Sequence, residues 1–97
     1  MTITKNVNGT TTELIIQGWM DTQSAPQLGE EVNKLGDETE LLVLNMKELE
    51  YTSSAGIRMI VAAYKKMKGA LVLKHLSPEI NEILKMTGLL DRFTIEE

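Results

Sequence analysis

Residues 41–67, LLVLNMKELEYTSSAGIRMIVAAYKKM, contain the two patterns that decide the fold. The first is the run Leu41–Leu44, which lacks polar alternation and is typical of a central strand covered on both faces, or nearly so. The second begins at Ser54, where apolar residues recur at the spacing of an amphipathic helix: Ile57, Ile60, Val61, Tyr64 and Met67. A buried strand followed by such a helix indicates an α/β fold.

Upstream of this stretch the sequence predicts a β-hairpin. Thr2–Val7 alternates weakly, Asn8-Gly9 is a strong turn signal, and Thr11–Gln17 is rich in β-branched residues. In the second strand one parity set should face the core, namely Leu14, Ile16, Gly18 and Met20. Trp19 then belongs to the opposite face.

The remaining segments complete an alternating pattern. A helical stripe, capped by Thr22 or Ser24 and ended by Gly36, consists of Ala25, Leu28, Val32 and Leu35. Ala70–Leu73 is a short strand, Ser77-Pro78 starts a helix that Gly88 ends, and Phe93–Ile95 adds a last strand. The predicted order is β-β-α-β-α-β-α-β, which implies a mixed sheet in an α/β sandwich.

Length and composition limit the kind of protein. The 97 residues are enough for a single domain, residues 1–97, and 42% hydrophobic with 25% charged residues is ordinary globular composition. A net charge of −4 argues against a nucleic-acid-binding surface. No signal peptide is recognisable, and the apolar runs are far shorter than a membrane span needs, so we expect a soluble, cytoplasmic protein.

Few residues could carry catalysis. The chain has no cysteine, and its only histidine, His75, follows a short strand as a surface or loop residue with no orienting partner beside it. No phosphate-binding loop, nucleophile elbow or cluster at metal-ligand spacing is present in the sequence. We therefore expect no catalytic residue, no cofactor and no metal site.

Ser54 is the one residue of chemical interest, because it lies at the start of a predicted helix. As the N-cap, its hydroxyl would accept a hydrogen bond from the N–H of Gly56 or Ile57. Small Ala55 and Gly56 would leave that hydroxyl uncovered, and glycine costs about 1 kcal/mol there relative to alanine. The pattern therefore fits either a plain helix cap or a site that another molecule approaches closely.

The segment Glu48–Ile60, ELEYTSSAGIRMI, resembles the signature segment of the STAS domain, the sulfate-transporter and anti-sigma-factor-antagonist family. Further segments resemble the family's other motifs: Gly18–Asp21, Leu42–Met46, Leu76–Glu79 and Met86–Leu89. The resemblance implies a STAS-like α/β sandwich, with a mixed sheet of four to five strands and helices mainly on one face.

The resemblance also implies a function. Family members of this size bind an anti-sigma factor that is also a serine kinase, and so regulate sigma-factor-dependent transcription. Phosphorylation of the serine at the helix start ends that binding, and a serine phosphatase restores it. The matching position here is Ser54, with Ser53 as second choice; the best-known members carry Asp where Ser53 stands, and Ser or Thr where Ala55 stands.

The partner-binding residues predicted around Ser54 are Trp19, Asp21, Asn45, Ser53, Ala55, Gly56 and Arg58. Asp21 either fixes the turn before the first helix or lies beside Ser54, and Asn45 bonds loop backbone rather than a partner. Arg58 contacts the phosphate or the partner, or is simply solvated, while Trp19 is either exposed or packed at an edge. We expect a monomer without direct nucleic-acid contact; the alternative function is a constitutive accessory subunit of a membrane transporter or signalling scaffold.

Overall fold

The computed structural model describes residues 1–88 and 90–96. These residues form six strands, three α-helices and a 3₁₀ turn at Leu90–Arg92. The strands are β1 (Thr2–Asn8), β2 (Thr11–Met20), β3 (Leu41–Asn45), β4 (Leu49–Thr52), β5 (Leu71–Lys74) and β6 (Thr94–Glu96). The helices are α1 (Ala25–Asn33), α2 (Ser54–Lys66) and α3 (Pro78–Met86).

The strands form one mixed sheet in the order β1-β2-β3-β5-β6, with β4 pairing to β2. β1 and β2 are antiparallel and joined by a two-residue turn, in which Gly9 has the positive φ (63°) that favours glycine. The other pairs are parallel, as expected when helices connect the strands. The predicted α/β class is confirmed.

The helices cover one face of this sheet. Leu14, Ile16 and Met20 are fully buried, which confirms the predicted parity of β2, and Leu42 and Leu44 of β3 join the same core. The other residues of β3 are only half-buried, including Leu41 and Val43. The expectation that β3 is covered on both faces, or nearly so, is met in part: Leu42 and Leu44 are buried under the helices, while the open face of the sheet leaves Leu41 and Val43 half-buried.

β4 was missed because it breaks the alternation that identifies strands. Its inward residues, Leu49 and Thr52, lie three positions apart, a spacing that a regular strand would place on opposite faces. The pairing with β2 slips by one residue between Gly18 and Trp19, so Glu50 is an extra residue. This bulge turns both Glu50 and Tyr51 outward and raises the strand count to six, one above the expected range.

Close contacts hold α1 and α2 together on the covered face. A Cβ added to Gly29 of α1 would lie 2.9 Å from Met59 Sδ of α2, so glycine lets these helices approach each other. Lys66 Nζ donates to the carbonyl of Val32 (2.8 Å), near the end of α1. Within the described part of the chain, no helix is both long and apolar enough to cross a membrane.

The C-terminal third follows the sequence pattern with small shifts. α3 is capped by Ser77, with Pro78 as its first residue, and ends before Gly88, which has φ 75°. Ile80 and Leu84 are buried, and the last strand begins at Thr94, one residue later than predicted. Leu89, the last residue of the Met86–Leu89 motif, lies outside the described residues.

Candidate functional site

The start of α2 differs by one residue from the sequence prediction. Ser53, not Ser54, is the N-cap: its backbone is extended (φ −87°, ψ 173°) and its Oγ accepts from Gly56 N at 3.3 Å. The predicted cap at Ser54 is therefore wrong. The cap lies one residue earlier because β4 ends at Thr52, which leaves Ser53 as the single link between strand and helix.

Ser54 is the first residue of α2, and its side chain is exposed. Among the described residues, its hydroxyl makes no hydrogen bond with another group. Ser53 already satisfies the backbone N–H of Gly56, so Ser54 has no structural task that requires a hydroxyl. The two serines thus have different environments: Ser53 caps the helix, and the hydroxyl of Ser54 has no such task among the described residues.

Gly56 has an internal reason to be glycine. It is buried, and an added Cβ would collide with Thr52 Oγ1 and lie 2.9 Å from two carbons of Met20. The prediction that its small size leaves room for a partner is wrong, because the residue faces the core. Ala55 is half-buried and packs against the same core, which leaves Ser54 as the exposed residue of this first turn.

The helices α1 and α2 begin at the same edge of the sheet. Met20 pairs with Thr52 at the ends of β2 and β4, and Ser53 N donates to the carbonyl of Met20 at 2.8 Å. Asp21 follows Met20 directly, so the turn before α1 lies next to the start of α2. The carboxyl ends of parallel strands are the usual place for functional groups in α/β sheets.

Asp21 organises its own turn. Its Oδ1 accepts from the N–H groups of Gln23 (3.0 Å) and Ser24 (2.8 Å), and Ser24 Oγ lies 2.9 Å away. The bonds from the Ser24 N–H and hydroxyl lower the pKa of Asp21 below its ordinary value of 3.8. No hydrogen bond joins Asp21 to Ser54 within the described structure, so the turn-fixing role is the one observed.

Arg58 extends the exposed surface that begins at Ser54. It lies four positions further along α2, on the same helix face, and its side chain is exposed. It has no ion-pair partner among the described residues, where the one salt bridge joins Lys34 to Glu31. A shallow groove of about 330 Å³ continues along this face, lined by Ile57, Arg58, Val61, Ala62 and Lys65.

Asn45 is not part of this surface. It pairs with Ile15 of β2, five residues before Met20, which separates it from the start of α2 by roughly 17 Å along the strand. Its Oδ1 accepts from Lys47 N (3.1 Å) and its Nδ2 donates to Glu13 (3.2 Å). The predicted bond to loop backbone is confirmed, and the side chain lies on the open face of the sheet.

Trp19 is exposed, as one of the two sequence interpretations proposed. It retains 59% of its accessible surface and contacts Tyr51, which retains 41%, with ring centroids 5.4 Å apart. The two residues are paired between β2 and β4. Sequence analysis did not identify Tyr51 as a surface residue, and only recognition of the bulge at Glu50 would have done so.

Groups suited to catalysis do not converge in the described structure. No cluster of three or more potential metal-ligating His, Cys, Asp or Glu side chains occurs among the residues described. His75 follows β5 in a left-handed conformation (φ 58°), and its N–H donates to the carbonyl of Glu96 at 3.0 Å. It is half-buried in a loop, as its position in the sequence predicted.

Comparison with known proteins gives a consistent result. A family model described as the STAS domain matches residues 2–97. BtrV of Bordetella bronchiseptica, a candidate anti-sigma factor antagonist, is 33% identical over 84 residues, covering 82% of this chain and 72% of BtrV. The anti-sigma-B factor antagonist of Bacillus subtilis is 33% identical over 79 residues, covering 78% of this chain and 72% of that protein.

A solved structure matches the fold at lower sequence identity. The phosphorylated form of SpoIIAA, a cell fate determinant of Bacillus, superposes with a TM-score of 0.77 at 14% identity. The match covers 99% of this chain and 91% of SpoIIAA. At that identity the likeness concerns the fold.

Proposed function

Because the chain belongs to the STAS domain family, we propose that it is an anti-sigma factor antagonist switched off by phosphorylation of Ser54. The antagonist role is supported by the two relatives that are 33% identical to this chain, both named for it. The unmodified protein binds an anti-sigma factor that is also a serine kinase, and so releases a sigma factor for transcription. It acts in the cytoplasm, by binding and not by catalysis.

One observation carries the assignment of the modified residue: Ser54 is exposed and its hydroxyl makes no hydrogen bond within the described part of the chain, directly beside a serine whose hydroxyl caps the helix. In the kinase, Ser54 Oγ attacks the γ-phosphorus of ATP, loses its proton and displaces ADP. Ser53 is the poorer acceptor because the residue is half-buried and its Oγ already accepts a hydrogen bond from Gly56 N. A serine phosphatase hydrolyses the phosphate ester and regenerates the hydroxyl.

The fold tolerates a phosphate at this position. Phosphorylation adds about −1.5 to −2 charges at the first residue of α2, where the free N–H groups and the helix dipole favour negative charge. Arg58, on the same face and unpaired within the described structure, adds a nearby positive charge. The modified protein therefore stays folded, and the effect falls on binding.

A partner that packs on the start of α2 must desolvate this phosphate or meet it with its own charges. The surface concerned runs from Ser54 to Arg58 and along the groove that ends at Lys65. A coupling free energy of about 1–3 kcal/mol lowers affinity roughly 5- to 150-fold, which is enough for a binary signal.

The test is incubation of the purified chain with ATP and the anti-sigma factor kinase of the same genome, followed by intact mass spectrometry. Wild type and Ser53→Ala should each gain one phosphate, while Ser54→Ala should gain none. Ser54→Asp should bind the kinase at least fivefold more weakly than wild type in a titration. Phosphorylation of the Ser54→Ala variant, or equal affinity of Ser54→Asp and wild type for the kinase, would overturn the proposal. Stable association with a membrane transporter that is unaffected by Ser54→Asp would support the accessory-subunit alternative.

A further inference from the structure

A second exposed surface lies beside the start of α2, on the open face of the sheet. We call it the aromatic patch and define it by Trp19 and Tyr51. The chain has four aromatic residues in all, one Trp, two Tyr and one Phe. Two of them, Tyr64 and Phe93, contact each other edge to face, and Phe93 is buried. The other two, Trp19 and Tyr51, are exposed and adjacent.

The patch is held in a fixed arrangement. Trp19 and Tyr51 are opposite each other on paired strands, with their ring centroids 5.4 Å apart and their planes at 45°. The bulge at Glu50 places Tyr51 on the outer face, because without it Leu49 and Thr52 could not both face the core. A rigid exposed pair of this kind offers contact area at little cost in side-chain entropy, as binding hot spots do.

Acidic residues neighbour the two rings along the chain. Asp21 follows Trp19 by two residues, Glu50 precedes Tyr51, and Glu48 precedes the strand; all three side chains are exposed. None of them forms an ion pair within the residues described. The positive groups placed here are Lys47 and the N-terminal ammonium, whose charge contributes to the lowered pKa of Asp21, so the three carboxylates outnumber them. Aromatic faces next to carboxylates suit a guanidinium or ammonium group, which can stack on a ring and pair with an acid.

The patch is continuous with the surface at Ser54. Its two rings lie on the strand ends that lead into Asp21 and Ser53, at roughly 7 Å from those residues along the strands. Ser53 N bonds the carbonyl of Met20, so the two surfaces are tied together at the edge of the sheet. A partner large enough to cover Ser54 can therefore reach around this edge to the rings.

We propose that the aromatic patch anchors a basic segment of the anti-sigma factor, with an arginine or lysine side chain stacked on Trp19 and Tyr51. The inference rests on the proposed function, since it assigns a second contact area to the same partner. The partner then contacts the protein in two places: at the start of α2 and at the aromatic patch on the open face of the sheet.

The test measures the affinity of the anti-sigma factor kinase for unphosphorylated variants by isothermal titration. Trp19→Ala and Tyr51→Ala should each weaken binding at least tenfold, while Trp19→Phe, which keeps a ring, should weaken it less. The matched control is Val7→Ala, an exposed hydrophobic residue (63%) on β1, which should bind within twofold of wild type. Glu48→Gln with Glu50→Gln should slow association and flatten its salt dependence.

A direct readout is independent of any effect of the substitutions on folding. Trp19 is the sole tryptophan, so 5-fluorotryptophan labelling gives one ¹⁹F resonance, which should shift when the kinase binds. Suppose that wild type binds the kinase and that phosphorylation of Ser54 weakens this binding, but that the ¹⁹F resonance does not shift and the patch variants bind as tightly as wild type. The proposed anchor is then wrong, and the proposed function stands. If wild type does not bind the kinase, both are overturned.

Discussion

The starts of α2 and α3 share the same capping arrangement and differ in the residues that follow it. Each helix has a serine N-cap with an extended backbone, Ser53 and Ser77, whose Oγ accepts from the N–H three residues on, at 3.3 and 3.1 Å. The next residue is Ser54 in α2 and Pro78 in α3. Proline at that position is a purely structural choice, because its fixed φ suits a helix start and no N–H is needed there.

The comparison separates what a helix start requires from what this site has in addition. Capping is achieved equally well in both helices, so the hydroxyl of Ser54 is not needed to begin α2. The third helical residue differs as well: α3 has the large Ile80 and α2 has Gly56, although both are buried. The glycine belongs to the fit between strand and helix, and the free serine is what remains for function.

The largest effect should come from Gly56→Ala, which tests the packing half of this comparison. Alanine is the better helix former by about 1 kcal/mol, yet its Cβ would press on Thr52 and on the fully buried Met20. We expect a net loss of about 2 kcal/mol in the free energy of unfolding, measured by urea denaturation.

Gly29→Ala is the matched control for this substitution. Its Cβ would meet only the flexible end of Met59, so stability should change by less than about 0.5 kcal/mol or rise. A gain in stability for Gly56→Ala would mean that the start of α2 is looser than its contacts indicate.

The next effect concerns the two caps. Ser53→Ala and Ser77→Ala should each lower the free energy of unfolding by about 1 kcal/mol, since each removes one bond to an otherwise unpaired N–H. Equal losses of unfolding free energy in the denaturation curves of the two variants would show that the two caps contribute equally to stability. A Ser53→Ala protein as stable as wild type would break the comparison, because the cap of α2 would then have no structural value.

A smaller effect is expected from giving α2 the residue that α3 has. The backbone of Ser53 (ψ 173°) is already in the region preferred before proline, as is that of Ser77 (ψ 158°). Ser54→Pro should therefore change the free energy of unfolding by less than about 0.5 kcal/mol, while abolishing phosphorylation. Loss of the cooperative transition in this variant would show that the hydroxyl has a structural role.

The smallest effect concerns α1, the third helix that begins after a serine. The lowered pKa of Asp21 means that its hydrogen bonds with Ser24 stabilise the fold above pH 3.8 and cease to do so as pH falls through the folded-state pKa. The melting temperatures of wild type and Asp21→Asn should thus differ near neutral pH and converge below pH 3.8. A constant difference across pH would show that the carboxylate charge does not matter there.

The sequence was a good guide wherever a segment followed a simple period. The parity of β2 and the Ser77-Pro78 start have regular spacing, and the structure confirms them. The predicted stripe of α1 is confirmed for Ala25, Leu28 and Val32, whereas Leu35 is buried outside the helix, because α1 ends at Asn33 and not at Gly36. β4 could not be predicted, since the extra residue Glu50 removes the alternation. The position of the helix cap could not be predicted for the same reason: because β4 ends at Thr52, the N-cap of α2 is Ser53 and not Ser54.

Side-chain environments were harder to predict than elements. Gly56 appeared to clear space for a partner, because nothing in the sequence shows that Thr52 and Met20 lie behind it. Asn45 was named among the partner-binding candidates, and its separation from Ser54 could not be predicted, because β4 and the interruption at residues 46–48 were not recognised.

The bulge at Glu50 also sets how the chain tolerates changes in length. The bulge absorbs one extra residue, so that Leu49 and Thr52 both face inward although they lie three positions apart, and Tyr51 faces outward. Deleting Glu50 would leave Leu49 and Thr52 two positions apart, the spacing at which a regular strand places both side chains on one face, so the pairing with β2 could continue without the bulge. In an evolving lineage this segment should therefore accept the loss of residue 50 as well as substitutions of it, whereas Leu49 and Thr52 stay tied to their inward positions.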